Sequence, residues 1–527
     1  MSSLHKSIIP PVLPAREAVE LIQDGDMLAA SGFGVMGVAH TVHRVLLERF
    51  QETGHPNNLT YVHAAGHYLE GGLELLAPHG MVSRVIGGHW GMMPELRRVI
   101  VEEKIEAHNW PQGVVIGSLR AAASGERSGL RSSIGLGTFV DPRQTGGCAN
   151  ATARQSGSKI RVVEQDGSEL LQYDPLKPNV ALIRGWSADK LGNVALGMEP
   201  LNLSIDVIAM AARHNGGKVI CQVRHIDHDK VYPSHQVAVP GFMIDALVVA
   251  ENPSQEHRQS FSYDADPALI NDGNEDRPQC PLPAVPEGPR GWIGRRAAME
   301  IAANDVLNLG IGIPGDAVGA ALSEAGRVGE VVPTIESGLF GGIALGDLNF
   351  GVALYPNARI DQVAMFDMYH GGGLDIAIMG AAQLDERGNI NVSQFNNRAV
   401  GCGGFVDITQ SARRVVFCTT FTSSGLEAEF KDGTLRIVTE GRHRKFVRQV
   451  EQITFNSQLA LEKGQPVTVV TERCVFRLIP AGWELIEIAP GIEIERDILP
   501  LLDFMPHISP DLKTMPVCCF TGPSPAS

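Results

Sequence analysis

The residue with the most suggestive setting in this sequence is Glu336, a carboxylate that follows an apolar stretch and precedes a run of glycines. The stretch 331–335 reads Val-Val-Pro-Thr-Ile and predicts a strand, and 336–342 reads Glu-Ser-Gly-Leu-Phe-Gly-Gly. Glycines leave the backbone bare, so a bulky reacting group can approach the carboxylate. A carboxylate is ionised at neutral pH and can act as a nucleophile without a neighbouring base. A glutamate at a strand end is, however, more often simply a solvated side chain.

Two glycine turns suggest a competing chemistry. Residues 32–37 and 310–315 both follow the pattern Gly-x-Gly-x-x-Gly between a predicted strand and a predicted helix, which is the dinucleotide-binding fingerprint. That fingerprint also needs an acid about 20 residues later, at the end of the next strand. The next strand of the first half, 59–63, has no acid, whereas that of the second half ends at Glu336. Glu336 is therefore either a ribose contact or a reactive group, and the glycines after it favour the reactive group.

A metal site is the third chemistry to consider. The sequence has 17 histidines, and the tightest cluster is His225-x-x-His228 with Asp227. No second pair at ligand spacing lies near it, and its neighbours are polar and loop-like. We therefore predict a surface loop there and no metal site.

The elements around the glycine turns recur in both halves of the chain. A helical pattern at 16–22 and a short apolar strand at 26–30 precede the first turn, and 295–301 and 305–309 precede the second in the same way. Alternation of strands and helices predicts mostly parallel sheets with functional residues at the carboxyl ends of strands. We predict two related open α/β domains.

A second recurring motif supports the duplication. Asp-x-x-Gly-Asn occurs at 189–193 and again at 385–389, each time between strand-like segments. A hairpin turn explains either copy alone. Their joint recurrence indicates that one α/β unit was duplicated.

The predicted boundary between the halves is a linker at 252–290, which holds seven prolines, an acidic cluster and little apolar periodicity. The predicted domains are therefore 1–251 and 291–527. Limited proteolysis is expected to cut the linker first.

Composition restricts the class of protein. The chain has 527 residues, 44% hydrophobic and 20% charged, enough for two cores. A net charge of -15 without a basic run argues against nucleic acid. The sequence contains no apolar run of about 20 residues, so no membrane span is predicted. Eight cysteines without a Cys-x-x-Cys pair predict reduced thiols and a cytoplasmic location. We also expect a homo-oligomer, which is the common case for soluble enzymes.

Taken in order, the motifs resemble those of the class I CoA-transferase family, the acetate and 3-oxoacid CoA-transferases, in the single-chain form that fuses two subunits. The resemblance extends over about 400 residues. The motifs that carry it are Ser-Gly-Phe-Gly-Val-Met-Gly at 31–37, Pro-Gln-Gly at 111–113, Gly-Leu-Gly-Thr-Phe-Val-Asp-Pro-Arg at 135–143, Gly-Gly-Lys-Val-Ile at 216–220, Asn-Leu-Gly-Ile-Gly-Ile-Pro at 308–314, the run 336–342 and Gly-Cys-Gly-Gly at 401–404.

The resemblance implies that CoA is a substrate, passed between short-chain carboxylic acids through a glutamyl-CoA thioester on Glu336 in a ping-pong cycle. No permanently bound cofactor is expected. Each step passes through a tetrahedral oxyanion, which needs preorganised N–H donors. The expected donors are the amide near Gly34, the side chain of Gln112 and the amides of Gly403 and Gly404.

The remaining expectations concern the glycines and the cleft. The residues expected on the CoA-binding side are Gly310, Gly312, Gly401, Gly403 and Gly404. Phe33, Gly34 and Gln112 are expected to face Glu336 across a cleft between the domains. Gly401 to Gly404 could instead be a structural bulge, and Gln112 could cap a turn.

Two alternatives remain on the same scaffold. Some relatives place an Asn a few residues after the first glycine turn, where it polarises the reacting carbonyl, but 38–41 here reads Val-Ala-His-Thr. An acyl-CoA hydrolase would use the same thioester with water as acceptor. An acyl-CoA or sugar-phosphate sensor would bind without turnover, although neither terminus predicts a DNA-reading helix-turn-helix.

Overall fold

Two large sheets carry the fold, one in each half of the chain, in a computed structural model that describes residues 9–68, 71–271, 273 and 283–523. The first sheet has seven strands, and all of its neighbouring pairs are parallel. In spatial order they are Ala246–Val249, Lys218–Val223, Val180–Arg184, Met27–Ala30, Leu59–His63, Val82–Gly87 and Glu106–Asn109.

The second sheet has ten strands, of which the central five are parallel. In spatial order the ten are Ala358–Arg359, Leu339–Phe340, Val332–Ile335, Val306–Leu309, Ile376–Gly380, Arg414–Cys418, Val467–Val470, Cys474–Ile479, Gly482–Ile488 and His507–Thr514. Antiparallel pairs flank the parallel centre on both sides. The prediction of open, mostly parallel α/β sheets is confirmed.

The two halves share one strand order. In each half, numbering the shared strands along the chain, the spatial order is second, first, third, fourth and fifth. Met27–Ala30 thus corresponds to Val306–Leu309, and Leu59–His63 corresponds to Val332–Ile335. The first half extends its sheet beyond the second strand by two further parallel strands.

The repeated Asp-x-x-Gly-Asn motifs form the same turn in both halves. Asp189 Oδ1 accepts hydrogen bonds from the amides two and four residues later, at 2.9 Å each, and Asp385 Oδ1 does so at 3.0 and 2.9 Å. The side-chain amides of Asn193 and Asn389 donate to the other carboxylate oxygen, both at 3.1 Å. Both aspartates are 2% exposed. The hairpins and the buried carboxylate that fixes each of them therefore recur together.

Helices cover both faces of the first sheet, because alternate strand residues enter different cores. Ala29 and Val62 belong to one hydrophobic cluster, whereas Leu28 and Tyr61 belong to another. The α-helices are Ala15–Ala18, His40–Thr53, Gly72–Leu76, Pro94–Val101, Gln112–Ala123, Ala151–Ser156, Ile205–His214, Pro253–Glu256, Pro289–Ala298, Gly319–Glu324, Gln362–His370, Phe405–Ser411, Ser457–Glu462 and Cys518–Thr521. None of the described helices is long and apolar enough to cross a membrane.

Smaller sheets and hairpins surround the two large sheets. Their strands are Leu130–Ser132, Ile160–Gln165, Ser168–Tyr173, Ser187–Asp189, Val194–Ala195, His225–Asp227, Val237–Val239, Ile343–Ala344, Ala353–Leu354, Gln383–Asp385, Ile390–Asn391, Gln394–Phe395, Arg398–Ala399, Thr422–Ser423, Glu427–Lys431, Thr434–Thr439, His443–Arg444 and Phe446–Val447.

The two halves are packed against each other rather than held apart. The larger hydrophobic cluster includes Val114 and Leu119 of the first half together with Phe366 and Phe405 of the second. Helix Gln112–Ala123 contacts helices Gln362–His370 and Phe405–Ser411 of the other half. One continuous apolar core therefore spans the predicted domain boundary.

The first part of the predicted linker is also packed, so the expectation of an exposed spacer is wrong for residues 252–271. His257, Gln259, Ser260 and Leu269 are fully buried. Polar contacts rather than apolar periodicity hold this stretch, which is why its composition resembled a linker. The stretch 274–282 lies outside the described residues, and the boundary itself stays a prediction.

A buried ion pair anchors this segment. The Arg184 guanidinium donates two hydrogen bonds of 2.7 Å to Glu199 and one of 2.9 Å to the carbonyl of Arg258. Both charged side chains are almost fully buried. Removing one partner of such a pair leaves an uncompensated buried charge.

We expect Glu199→Ala to lower the free energy of unfolding by about 3–5 kcal/mol, because it leaves the Arg184 guanidinium buried without its carboxylate. The exposed pair of Arg98 with Glu102 provides the control, and Glu102→Ala should cost less than about 1 kcal/mol. Denaturant unfolding of the three proteins measures both values. Equal costs for the two variants would show that the buried pair does not hold the segment.

Candidate active site

A cavity of about 170 Å³ lies between the two halves, with Glu336 in its wall. The residues of the first half that line it are Phe33, Ala65, Gly66, Tyr68, His89 and Gln112. The second half contributes Glu336, Asn308 and Phe350, the glycine loop 401–404 and several apolar side chains. The predicted cleft between the halves is therefore present, and it holds Phe33 and Gln112 together with Glu336.

Glu336 follows strand Val332–Ile335 directly, at the carboxyl end of a parallel strand. Its residue surface is only 7% exposed. Burial raises the pKa of Glu336 from its ordinary 4.5 to about 6, and hydrogen bonds from its own amide and from Asn308 offset part of that rise. The carboxylate is thus ionised at neutral pH but poorly solvated, which makes it more reactive than a carboxylate in water.

A polar network on the two neighbouring strands stands behind Glu336. Asn308 and Thr334 are register partners, and the Asn308 amide donates to the Thr334 carbonyl and to the Tyr369 hydroxyl at 3.3 Å each. The Thr334 and Tyr369 hydroxyls are 2.8 Å apart. All three side chains are buried, so the network fixes Asn308 beside the carboxylate.

Gln112 lines the cavity and carries a side-chain donor that the fold does not use. It is the first residue of helix Gln112–Ala123 and is 2% exposed. Its main-chain amide donates to the carbonyl of Gly403 at 2.9 Å, which joins the two halves. Its side-chain Nε2 is buried and has no hydrogen-bond partner in the described part of the chain. A buried donor without a partner is costly unless a ligand accepts from it.

The glycine loop 401–404 lines the cavity but is clamped by the first half. The Cys402 amide donates to Asn109 Oδ1 at 3.0 Å, and the Gly403 amide donates to the Gly88 carbonyl at 2.8 Å. The Gly401 amide donates to the Ser393 carbonyl at 3.0 Å. The expectation that the Gly403 amide is a free oxyanion donor is therefore wrong in this structure.

The Gly404 amide differs from its neighbours. Gly404 lines the cavity at the start of helix Phe405–Ser411, and no described backbone carbonyl accepts from its amide. An amide at a helix N-terminus favours negative charge. Gly404 therefore remains an available main-chain donor of this loop.

The structure also places three other predicted glycines, Gly34 as an expected donor and Gly310 and Gly312 as expected CoA-binding residues. The Gly34 amide donates to the Gly66 carbonyl at 2.8 Å, and Gly34 does not line the cavity. Gly310 lines the cavity, but its amide donates to the Ile378 carbonyl at 2.9 Å. Gly312 lines a smaller neighbouring cavity of about 30 Å³, which shares Phe350 with the first. The amide of Gly34, which was predicted as a free donor at the first glycine turn, is thus engaged in the fold.

The charge of the cavity wall is low apart from Glu336. Among the described residues, no Lys or Arg lines the cavity. Burial lowers the pKa of His89 to about 4, so its ring is neutral at neutral pH. The other side chains are largely apolar, and the rings of Phe33 and Phe350 lie 6.1 Å apart. Glu336 is the anionic group of the cavity wall.

Sequence reasoning missed three polar residues of the cavity, namely Tyr68, His89 and Asn308. Asn308 carried a signal, since a buried polar residue interrupts an otherwise apolar strand.

The histidine cluster considered as a metal site lies away from the cavity wall. His225 is half-exposed on a short strand, and its Nε2 lies 3.9 Å from Asp227 Oδ1. No group of three or more His, Cys, Asp or Glu is placed to hold a metal ion within the described ranges.

Comparison with known proteins extends the similarity over almost the whole chain. A family model described as coenzyme A transferase matches residues 12–250. Caffeate CoA-transferase of Acetobacterium woodii is 41% identical over 95% of this chain and 96% of its own length. Acetate CoA-transferase YdiF of Escherichia coli K12 is 38% identical over 96% of this chain and 94% of its own length.

Solved structures agree with the fold. The apoenzyme of YdiF from E. coli O157:H7 superposes with a TM-score of 0.91 at 36% identity and covers 99% of this chain and 98% of that one. A structure of the same enzyme described as a thioester complex with CoA gives a TM-score of 0.90 at 37% identity, over 97% and 96% of the two chains.

The buried carboxylate predicts a pH-dependent cost to stability. Because the folded state raises the pKa of Glu336, the stability linked to its protonated form is complete below about pH 4.5 and is lost as the pH rises through about 6. We expect Glu336→Gln to raise the free energy of unfolding at pH 8 by roughly 2 kcal/mol, since a tenfold change in an ionisation constant corresponds to about 1.4 kcal/mol. The gain should vanish near pH 4.

Unfolding experiments at the two pH values measure this effect. Glu164→Gln, at an exposed position on strand Ile160–Gln165, is the matched control and should change stability little at either pH. A stabilisation by Glu336→Gln that is equal at pH 4 and pH 8 would contradict a buried, ionised carboxylate.

Proposed function

Because this chain belongs to the coenzyme A transferase family and is a CoA-transferase, we propose that it transfers CoA between carboxylic acids through a covalent glutamyl-CoA thioester on Glu336. The observation that carries the proposal is the position of Glu336, a buried carboxylate in the wall of a cavity that is also lined by Gln112, whose buried Nε2 has no described hydrogen-bond partner. The thioester complex described for the similar YdiF enzyme supports the same intermediate.

The first half-reaction converts an acyl-CoA into a free acid. A carboxylate oxygen of Glu336 attacks the carbonyl carbon of the acyl-CoA, the C–S bond breaks, and CoA leaves as a thiolate, so that Glu336 and the acyl group remain joined as a mixed anhydride. The thiolate then attacks the glutamyl carbonyl carbon, and the bond between that carbon and the bridging oxygen of the anhydride breaks. The acid leaves as a carboxylate, and Glu336 carries CoA as a thioester.

The second half-reaction is the reverse with a different acid. The acceptor carboxylate attacks the glutamyl thioester and expels the CoA thiolate, which then attacks the acyl carbonyl of the new anhydride. The products are the new acyl-CoA and the free Glu336 carboxylate. No proton is gained or lost overall, so the site needs no acid-base triad.

Each attack places negative charge on a former carbonyl oxygen. Gln112 Nε2 and the Gly404 amide are donors that are not used by the fold, and both belong to the cavity wall. Preorganised donors of this kind stabilise an oxyanion strongly because they need no reorganisation during the reaction. These two groups therefore replace the larger donor set expected from the glycine turns.

Burial also protects the intermediates from water. An anhydride and a thioester both hydrolyse if water reaches them, and closing a site against water prevents this side reaction. Glu336 is 7% exposed, and apolar side chains make up much of the cavity wall. This enclosure favours transfer over the alternative of acyl-CoA hydrolysis.

The acyl group should be apolar and can be larger than acetyl. A cavity of about 150 Å³ lined by apolar side chains is large enough for benzene. The cavity here is of similar size, about 170 Å³, and is lined by Phe33, Phe350 and aliphatic side chains. We therefore propose monocarboxylic acids whose body carries no second charge, a class that includes the acids in the names of the acetate and caffeate relatives.

We expect the intact mass of the protein to increase by CoA minus water when it is mixed with acetyl-CoA in the absence of an acceptor acid. Glu336 should be the modified residue, and added acetate should discharge the thioester. Glu336→Gln should remain unmodified because an amide cannot attack. Glu330→Gln is the matched control and should be modified normally, since Glu330 is exposed and lies outside the cavity.

Three outcomes separate the alternatives. A thioester that water discharges as fast as a carboxylate does would indicate a hydrolase. Acyl-CoA binding without any covalent mass change would indicate a sensor. Transfer of CoA by Glu336→Gln at the wild-type rate would show that Glu336 is not the nucleophile.

Because no Lys or Arg is among the described residues that line the cavity, we expect the enzyme to discriminate against dicarboxylic acids. Butanoate and succinate differ by a methyl group in place of a second carboxylate, which would be buried in this cavity without a positive partner. Burying an unpaired charge costs several kcal/mol. We expect kcat/KM for succinate to be at least about 100-fold lower than for butanoate with the same CoA donor. Similar kcat/KM values for succinate and butanoate would contradict this prediction and would indicate that a positive group contacts the acyl group.

A further inference from the structure

We propose that the Tyr68 hydroxyl is a second side-chain donor to the reacting carbonyl, acting beside Gln112. This assignment rests on the proposed transferase function and adds a catalytic residue to it. It is carried by the position of Tyr68 in the wall shared with Glu336 and Gln112 and by the absence of another partner for its hydroxyl.

The Tyr68 ring is held in place by the first glycine turn. Gly34 adopts a positive φ of 64°, and a Cβ at this position would come within 2.8 Å of the Tyr68 ring. The Gly34 amide donates to the Gly66 carbonyl, and the Tyr68 amide donates back to the Gly34 carbonyl at 3.2 Å. Gly34 is thus required as the surface on which the ring lies, rather than as an oxyanion donor.

The hydroxyl is available for a ligand. Tyr68 is 3% exposed, and no described residue accepts from or donates to its hydroxyl. Burial raises the pKa of Tyr68, and the nearby Glu336 carboxylate raises it further, so the hydroxyl stays protonated. It can therefore donate a hydrogen bond to a carbonyl oxygen without transferring its proton.

Two other polar side chains of the wall are less suitable. The Asn308 side chain is already engaged with Thr334, with Tyr369 and with the Glu336 carboxylate itself. Burial and the neighbouring His63 and Arg97 lower the pKa of His89, but Glu336 is not among the groups that perturb it. Tyr68 is thus the polar group of the first half, besides Gln112, with the clearest link to the nucleophile. It also supplies a donor in a chain that lacks the Asn of some relatives.

The test compares Tyr68→Phe with the wild type in the rate of thioester formation on Glu336. The substitution removes one oxygen and keeps the ring on Gly34. We expect kcat to fall about 100-fold, the scale of one oxyanion donor, with KM for the acyl-CoA within about twofold of wild type. The melting temperature should be unchanged or slightly higher, because the lost hydroxyl has no hydrogen-bond partner among the described residues.

Tyr232→Phe is the matched control, since its hydroxyl bonds Ser187 and Asp227 away from the cavity. It should keep wild-type turnover. If Tyr68→Phe loses stability, Gly34→Ala provides an independent displacement of the same ring and should lower kcat as well.

The outcomes distinguish this inference from the proposed function. A wild-type protein that forms no thioester would overturn both. Normal thioester formation by the wild type with an equal rate for Tyr68→Phe would overturn the role of Tyr68 alone. An increase in KM for Tyr68→Phe with an unchanged kcat would show that the hydroxyl binds substrate without stabilising the oxyanion.

Discussion

The structure depends on keeping one ionised carboxylate inside an apolar cavity. Burial of Glu336 opposes its charge, and only a few fixed hydrogen bonds offset that cost. The fold therefore places the carboxylate at the end of a parallel strand, in a cavity between the two halves, with Asn308 behind it. The same low polarity that destabilises the ground-state carboxylate strengthens every donor facing the reacting oxygen.

Contacts across the two halves hold this environment together. Asn109 accepts from the Cys402 amide with its carbonyl oxygen and donates to the carbonyls of Gly87 and Gly88. Asp407 accepts from the Gly113 amide at 3.1 Å and so fixes the start of the helix that carries Gln112. Asp407 is fully buried and also lies 2.9 Å from His370 Nε2. The second half thus orients the donor that faces its own nucleophile.

The sequence alone could predict the parallel α/β sheets, the duplication and the place of Glu336 at the end of a strand, because each depends on local patterns. Glu336 was recognisable from its strand end and the glycines after it, and Gln112 from its motif. The donor roles of Gly34 and Gly403 were wrong because the partner of an amide depends on which distant carbonyl packs against it. Tyr68 carried no local signal, since its importance arises from Gly34 beneath its ring. The packing of the stretch 252–271, with His257, Gln259, Ser260 and Leu269 buried, was missed because polar contacts hold it.

The shared strand order makes Ala64 the positional counterpart of Glu336, since each residue directly follows the second strand of its half. The two copies of the unit have therefore diverged: the second copy carries Glu336, and the first contributes Gln112 and Tyr68 to the same cavity. Neither copy contains a complete reaction centre, so activity depends on how often the copies meet. A covalent connection turns that encounter into an intramolecular event, with an effective concentration that two separate chains reach only by tight association. Fusion thus makes the assembly of the centre independent of protein concentration.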